Sequence, residues 1–302
     1  MNLKKTINAL KYRIEYGTTV EWYNFWYVIL RKKQRIIPEI KSIDETIAHI
    51  IKTRCSVSRF GDGEILLTQS KTIGFQKGNS KLGERLAEII KSQNEGHIVC
   101  LSDTFKNLNR YNKKCRRFWR THFFLYGKVW DELLVPGRTY YNTFVTRPYM
   151  DFKSKEDSSR WFKNMKGIWN NRDIVFVEGA KSRLGVGNDL FDNARSIRRI
   201  LCPPLNAFDR YNDIFNEALK LEKDVLFLVA LGPTATVLSY DLFKAGYQAI
   251  DVGHVDIEYE WWKMDAKRKV DIENKFVNEA PNGSHVTDAG EEYKKQIIAT
   301  IV

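Results

Sequence analysis

The stretch Ser56–Glu64, S-V-S-R-F-G-D-G-E, carries the residue types best suited to chemistry. Val57 and Phe60 belong to a short β-prone run that breaks at Gly61-Asp62-Gly63-Glu64. Gly61 and Gly63 let the backbone turn sharply and come close to a ligand. Asp62 and Glu64 form a D-x-E pair. Such a pair at a strand's end can hold Mg²⁺ or Mn²⁺ and leave other coordination positions for phosphate oxygens. Arg59 can offer a forked donor to a phosphate or lock a carboxylate in place. A bare D-G-E is also an ordinary polar turn held by an Arg–Asp pair, so the other loops have to decide between the readings.

Three further polar loops follow β-prone runs. Glu178–Asp189 follows Ile174–Val177, and its Lys181 and Arg183 suit a diphosphate or are surface cations. Gly232-Pro233-Thr234 follows Val225–Leu231 and lacks the Walker lysine, so it is no P-loop. It reads as a glycine turn into a helix, whose first N–H groups can bind a diphosphate or a sugar hydroxyl. Gly185-Val186-Gly187 does not complete a G-x-G-x-x-G pattern. Gly253–Glu258 follows Gln248–Val252. His254 there is a metal ligand, a base, a phosphate donor or a buried structural histidine. Asp256 or Glu258 can take the proton from an attacking hydroxyl. Two carboxylates for a metal, cations and amides for a diphosphate and a spare acid together suit transfer of a group away from a metal-bound nucleoside diphosphate.

Strands and helices must hold these loops together. Ser42 with Glu45 three residues on forms a capping box, and Ile43, Ile47, Ile50 and Ile51 share one helical face. Strand-type runs at Cys55–Phe60, His97–Leu101, Thr139–Val145, Ile174–Val177, Ile197–Cys202, Val225–Leu231 and Gln248–Val252 alternate with helical patterns. The alternation predicts an α/β, Rossmann-like, mostly parallel sheet with helices on both faces, and ligands then bind beyond the strands' carboxyl ends. All four loops sit at that edge. Asn109–Phe124 reads as a strongly basic helix whose Phe118, Trp119, Phe123 and Phe124 pack inward, a solvated face beside an anionic substrate rather than a nucleic-acid site.

The 302 residues are 43% hydrophobic and 28% charged, a globular composition, and the formal charge of +12 attracts anions. With no Pro-, Gly- or Ser-rich linker, the chain divides into a basic, aromatic helical extension over 1–41 and one domain over 42–302. Cys55, Cys100, Cys115 and Cys202 make no C-x-x-C pair and read as buried thiols of a reducing cytoplasm. Met1–Tyr16 lacks a secretory signal's apolar core, and Val20–Leu30 is too short to span a bilayer. The expected location is cytoplasmic, with peripheral contact at the inner face of the membrane left open for the N-terminal helix, which otherwise docks on the domain.

Five motifs occur in order: R-F-G-D-G-E (Arg59–Glu64), E-G-x-K-S-R-L-G-V-G-N-D-L-F (Glu178–Phe191), C-P-x-x-N-A-F (Cys202–Phe208), L-G-P-T-A-T-V-L (Leu231–Leu238) and D-V-G-H-V-D-I-E-Y-E-W (Asp251–Trp261). Over about Ile43–Trp262 they resemble the GT-D-type glycosyltransferases, first described as a domain of unknown function and tied to glycosylation of bacterial serine-rich adhesins. The resemblance implies a Rossmann-like fold and a UDP-sugar donor, often UDP-glucose. It implies a metal-dependent hexosyltransferase whose acceptor is a glycan, a glycoprotein or a lipid-linked glycan. Carried over, Asp62 and Glu64 hold Mn²⁺ or Mg²⁺. The glycine-rich basic loop, with Lys181, Ser182, Arg183 and Asn188, joins Arg59, Gly61, Gly63, Gly232, Pro233 and Thr234 around the donor. His254, Asp256 and Glu258 form the catalytic group, with Asp256 preferred over Glu258 as base. Whether the anomeric configuration is retained or inverted stays open. A nucleotide or phosphate-ester hydrolase on the same sheet would use the same acids. A nucleic-acid-binding protein would leave them unexplained.

Overall fold

The computed structural model describes residues 17–29, 36–277 and 290–302. Among the described residues nine strands form one sheet: β1 (Glu39–Ile40), β2 (Ser56–Phe60), β3 (His97–Leu101), β4 (Thr139–Asn142), β5 (Asp173–Gly179), β6 (Ser196–Cys202), β7 (Leu226–Ala230), β8 (Gln248–Asp251) and β9 (Ile297–Thr300). Their order is β1-β4-β3-β2-β8-β7-β5-β6-β9, and every pairing between them is parallel. The helices are α1 (residues 17–29), α2 (Ile43–Thr53), α3 (Asp62–Thr68), α4 (Ser80–Lys91), α5 (Lys113–Leu133), α6 (Ser158–Met165), α7 (Tyr211–Ala218), α8 (Pro233–Lys244), α9 (Val255–Lys263) and α10 (Glu291–Gln296). The α/β, Rossmann-like architecture expected from the sequence is the one observed.

The continuous apolar runs explain why the sheet is covered on both sides. In β5, Ile174 and Phe176 join the core on one face, and Val175 and Val177 join the core on the other. The strands of β7 alternate in the same way, Leu226 and Leu228 against Phe227 and Val229. α8 is buried along nearly its whole length against β2 and β8. Ser42 caps α2 as its spacing predicts: its hydroxyl accepts from the Glu45 N–H at 3.1 Å, and the Glu45 carboxylate accepts from the Ser42 N–H at 2.8 Å.

Sequence order reverses direction in the sheet at two places, between β2 and β8 and between β5 and β7. Each reversal opens a crevice beyond the strands' carboxyl ends. Some elements differ from the expected ones. β4 stops at Asn142, whose side chain accepts from the Phe144 N–H at 3.0 Å and starts a 3-10 turn instead. The D-G-E segment is the opening of α3 rather than a free turn, and Val255–Tyr259 is helical rather than loop. The two edge strands were missed because β1 has two residues and β9 is only half-buried. The four cysteines are free and buried.

Two buried histidines give the fold a pH signature. Burial lowers His97 to about 3 and His122 to about 4. The His122 Nε2 accepts from the Trp130 indole N–H at 3.0 Å, which requires a neutral ring. Below pH ~6.5 the unfolded chain binds a proton that folded His122 refuses, so its contribution is full above that pH and is lost as the pH falls toward 4. Burial pushes the Glu64 and Glu258 carboxyls up, an opposing trend, so the test is a difference. From pH 7 to pH 5 the stability of wild type relative to His122→Phe should fall by roughly 2 kcal/mol in urea titrations. A constant difference would contradict this assignment.

Candidate functional site

A cavity of about 680 Å³ lies over the carboxyl ends of the strands. Strands β2 to β8 all feed it: Gly61 follows β2, Ser102 follows β3 and Thr143 follows β4. Gly179 ends β5, Pro203 follows β6, Leu231 and Gly232 follow β7, and Gly253 and His254 follow β8. The cavity therefore spans both crevices of the sheet.

Asp62 and Glu64 border it together. Residues two apart on a helix point about 200° apart, so the pair shares a wall for a specific reason. The Glu64 side chain folds back and accepts from the Gly61 N–H at 2.8 Å through Oε2. Burial raises the Glu64 carboxyl to about 7, helped by the nearby charges of Asp251 and Asp62. Two carboxylates that repel each other at the end of a strand are a donor set that a divalent cation relieves. Among the described residues no group of three His, Cys, Asp or Glu side chains gathers to hold a metal. The pair therefore suits an ion that takes its remaining oxygens from a bound phosphate and from water.

Arg59 takes the locking role. Its Nη2 meets Asp251 Oδ1 at 2.8 Å, its Nε meets the Asp251 carbonyl at 2.9 Å, and its Nη1 meets Thr146 Oγ1 at 2.6 Å. The pair clamps β2 to β8 directly under the acids. Gly253 must be glycine for this: it has φ +44°, and an added Cβ would lie 1.8 Å from Arg59 Nη2. Gly232, with φ +55°, plays a similar part against Phe75, whose ring would lie 2.5 Å from an added Cβ. Gly253→Ala should displace the guanidinium and add left-handed strain, costing at least about 2 kcal/mol in thermal or urea unfolding. An unchanged melting temperature would show that the clamp is dispensable.

The other expected residues divide. Ser182, Gly61, Gly63, Gly232, His254 and Asp256 line the cavity. Lys181, Arg183, Asn188, Pro233, Thr234 and Glu258 do not. Arg183 has φ 53°, and this left-handed kink aims its guanidinium at the Asn274 carbonyl, 3.1 Å away, and over the Tyr293 ring. Lys181 is exposed, and Thr234 is buried in the first turn of α8. Glu258 is fully buried, and its Oε2 accepts from the Tyr149 and Met150 N–H groups at 3.0 and 2.7 Å. It braces the segment after β4 and has no path to a substrate hydroxyl.

Asp256 reaches the cavity wall with its carboxylate already committed. Oδ1 accepts from the Gly185 N–H at 2.9 Å and from Asn188 Nδ2 at 2.8 Å, and Oδ2 meets Lys275 Nζ at 2.7 Å. Asn188 also reaches Glu260 at 2.7 Å, as Lys275 does at 2.9 Å. Asp256 thus holds the glycine-rich loop in place instead of standing ready as a base.

The structure adds residues from outside the four loops. Lys114 from α5, Arg147 and Asp151 after β4, and Lys269 and Phe276 after α9 all line the cavity. Arg147 Nε lies 3.6 Å from Asp151 Oδ2. Phe75 and Ile73 bring a loop over the β5–β7 crevice, where the Phe75 carbonyl accepts from the Asn206 N–H at 2.9 Å. The only early sign of Asn206 was its place in the C-P-x-x-N-A-F motif.

The profile of the glycosyltransferase GT-D fold family matches residues 57–280. The chain belongs to that family. It is 43% identical over 91% of its length to the glycosyltransferase GlyD of Streptococcus pneumoniae. It is 39% identical over 87% of its length to the probable glycosyl transferase Gly of Streptococcus gordonii. The chain spans 34% and 39% of the length of those two relatives. A solved structure of domain of unknown function 1792, described as a distinct glycosyltransferase fold, superposes with a TM-score of 0.84 at 43% identity. That match covers 88% of this chain and 96% of the solved one. The GT-D match at residues 57–280 takes in the D-G-E acids, the four loops and the segment carrying Lys269 and Phe276.

Proposed function

We propose that this GT-D chain transfers a sugar, glucose or a related hexose, from a UDP-sugar to a glycan, glycoprotein or lipid-linked glycan. The observation that carries the reading is the pairing of Asp62 with Glu64 on one wall of a cavity built from the carboxyl ends of seven parallel strands. Asp62 and Glu64 would hold Mn²⁺ or Mg²⁺, and the bound ion supplies neutralisation of the charge on the departing diphosphate. The residues of the chain do the rest. The first turns of α8 and α9 begin at Gly232 and His254 on the rim and present N–H groups and the positive ends of their dipoles to an anion. Lys114, Arg147 and Lys269 add positive charge on the wall formed by α5 and the segments after β4 and α9. Asp151 or His254, both of which line the cavity, would take a proton from an acceptor hydroxyl. The four free cysteines support a reducing, cytoplasmic site of action.

The test is release of UDP from UDP-glucose with Mn²⁺ and with excess chelator, with and without a glycan acceptor. Metal-dependent release that rises when acceptor is added supports transfer. Cleavage of the diphosphate to UMP and glucose 1-phosphate at a rate that acceptor does not change would make the chain a hydrolase instead.

A further inference from the structure

Helix α1 carries two apolar faces, and packing on the domain accounts for only one. Asn24, 6% exposed, sits against α5, bonded to the Arg117 carbonyl at 3.1 Å and to Thr121 Oγ1 at 3.0 Å. Tyr23 packs beside it on Phe124, with ring centroids 5.4 Å apart. Away from Asn24, Trp22, Phe25 and Ile29 stand at i, i+3 and i+7, one stripe of a helix, and at its edge Trp22 also meets Phe124 edge-on with centroids 6.2 Å apart. They are 55%, 57% and 56% exposed, and Val28 beside them is 53% exposed. The outer face of a docked surface helix is normally polar, so a contiguous aromatic stripe in solvent needs a partner.

The surroundings say what kind. From Lys113 to Lys128, α5 carries six cations and no acid, and α1 lies along this stretch. Lys113, Lys114 and Lys128 are exposed, and Arg116, Arg117 and Arg120 are partly so. Phe118 and Leu125 extend the apolar surface onto α5 at 44% and 45% exposure. The single acid of residues 17–29, Glu21, is paired with Arg117 at 2.6 Å. Among the described residues no helix is long and apolar enough to cross a membrane. A second copy of a chain with net charge +12 would bring like charges face to face around the stripe.

We propose that this face seats on an anionic lipid bilayer. α1 lies in the plane of the interface, with Trp22, Phe25 and Ile29 in the acyl boundary and the α5 cations at the headgroups. Tryptophan suits that depth because its ring is apolar and its N–H polar. The seating does not depend on the proposed chemistry. Where that chemistry holds, Lys114 and Phe118 connect the two, since both line the cavity, and an acceptor displayed at the membrane would meet the mouth of the site.

The experiment is co-sedimentation of the full chain with vesicles of phosphatidylcholine alone or with a quarter phosphatidylglycerol. Wild type should pellet with the anionic vesicles, at least tenfold more than with neutral ones, and less in 0.5 M salt (roughly, since exposed cations are screened). The triple variant Trp22→Ser, Phe25→Ser, Ile29→Ser should lose about tenfold of that binding with an unchanged circular-dichroism melt. A second variant, Lys113→Glu with Lys128→Glu, leaves the stripe intact and should weaken binding to anionic vesicles alone. No pelleting of wild type, or equal pelleting of the triple variant, overturns the proposal. So does a dimer seen by light scattering that the triple variant abolishes while vesicle binding is absent.

Discussion

Asp62→Asn should lower sugar transfer by about 10²–10³-fold while leaving the melting temperature almost unchanged. The substitution keeps the shape of the side chain and the start of α3, and Asn is well tolerated at a helix start. What it removes is one of the paired D-x-E carboxylates on the cavity wall, and with it the proposed hold on a divalent ion. Glu64→Gln should behave similarly, because an amide oxygen can still accept from the Gly61 N–H and keep the helix capped. Activity would be measured as UDP release with saturating Mn²⁺, and stability by calorimetry on the same samples. If both variants turned over normally, the acids would be structural and the cavity would need another electrophile.

Lys275→Met should produce the largest loss of stability. The lysine is 2% exposed and sits between Asp256 at 2.7 Å and Glu260 at 2.9 Å. Removing one member of a buried charge cluster leaves uncompensated carboxylates and typically costs 3–5 kcal/mol, here about 10 °C in melting temperature. The next residue, Phe276, lines the cavity, and its N–H donates to the Lys181 carbonyl at 2.9 Å. Loss of the lysine should therefore loosen the glycine-rich loop and raise KM for the donor more than it lowers kcat. Adding Asp256→Asn to the variant should recover part of the stability, since it removes one of the stranded charges. A Lys275→Met protein that melts within about a degree of wild type would mean water or another cation replaces the amine.

Much of the scaffold could be read from residue order. The Ser42–Glu45 box and the unbroken runs of β5 and β7 each carry a local signal that tertiary packing reinforced. The convergence of four loops on one edge followed from strand–helix alternation alone. What failed was helical phase. Read as a loop, D-I-E leaves both Asp256 and Glu258 free to face a substrate; as the first turns of α9, it sends them about 200° apart, one to the cavity wall and one into the core. Arg183 was misplaced because its left-handed backbone reverses the direction a side chain would take from a simple turn. Asp151, Lys269 and Lys114 come from segments far apart in the chain. No spacing rule links them, so only the folded sheet shows that they share a wall.

The most direct measurement is the thermal shift of wild type and Asp62→Asn in UDP-glucose, with and without Mn²⁺. A ligand bound only by the native state at a hundred times its Kd adds about 2.7 kcal/mol. The expected result is a rise of several degrees for wild type that requires nucleotide sugar and Mn²⁺ together, and its loss in Asp62→Asn. An equal rise in the variant, or a wild-type rise that ignores the metal, would contradict the claim that Asp62 and Glu64 bring ion and donor together at the rim of the sheet.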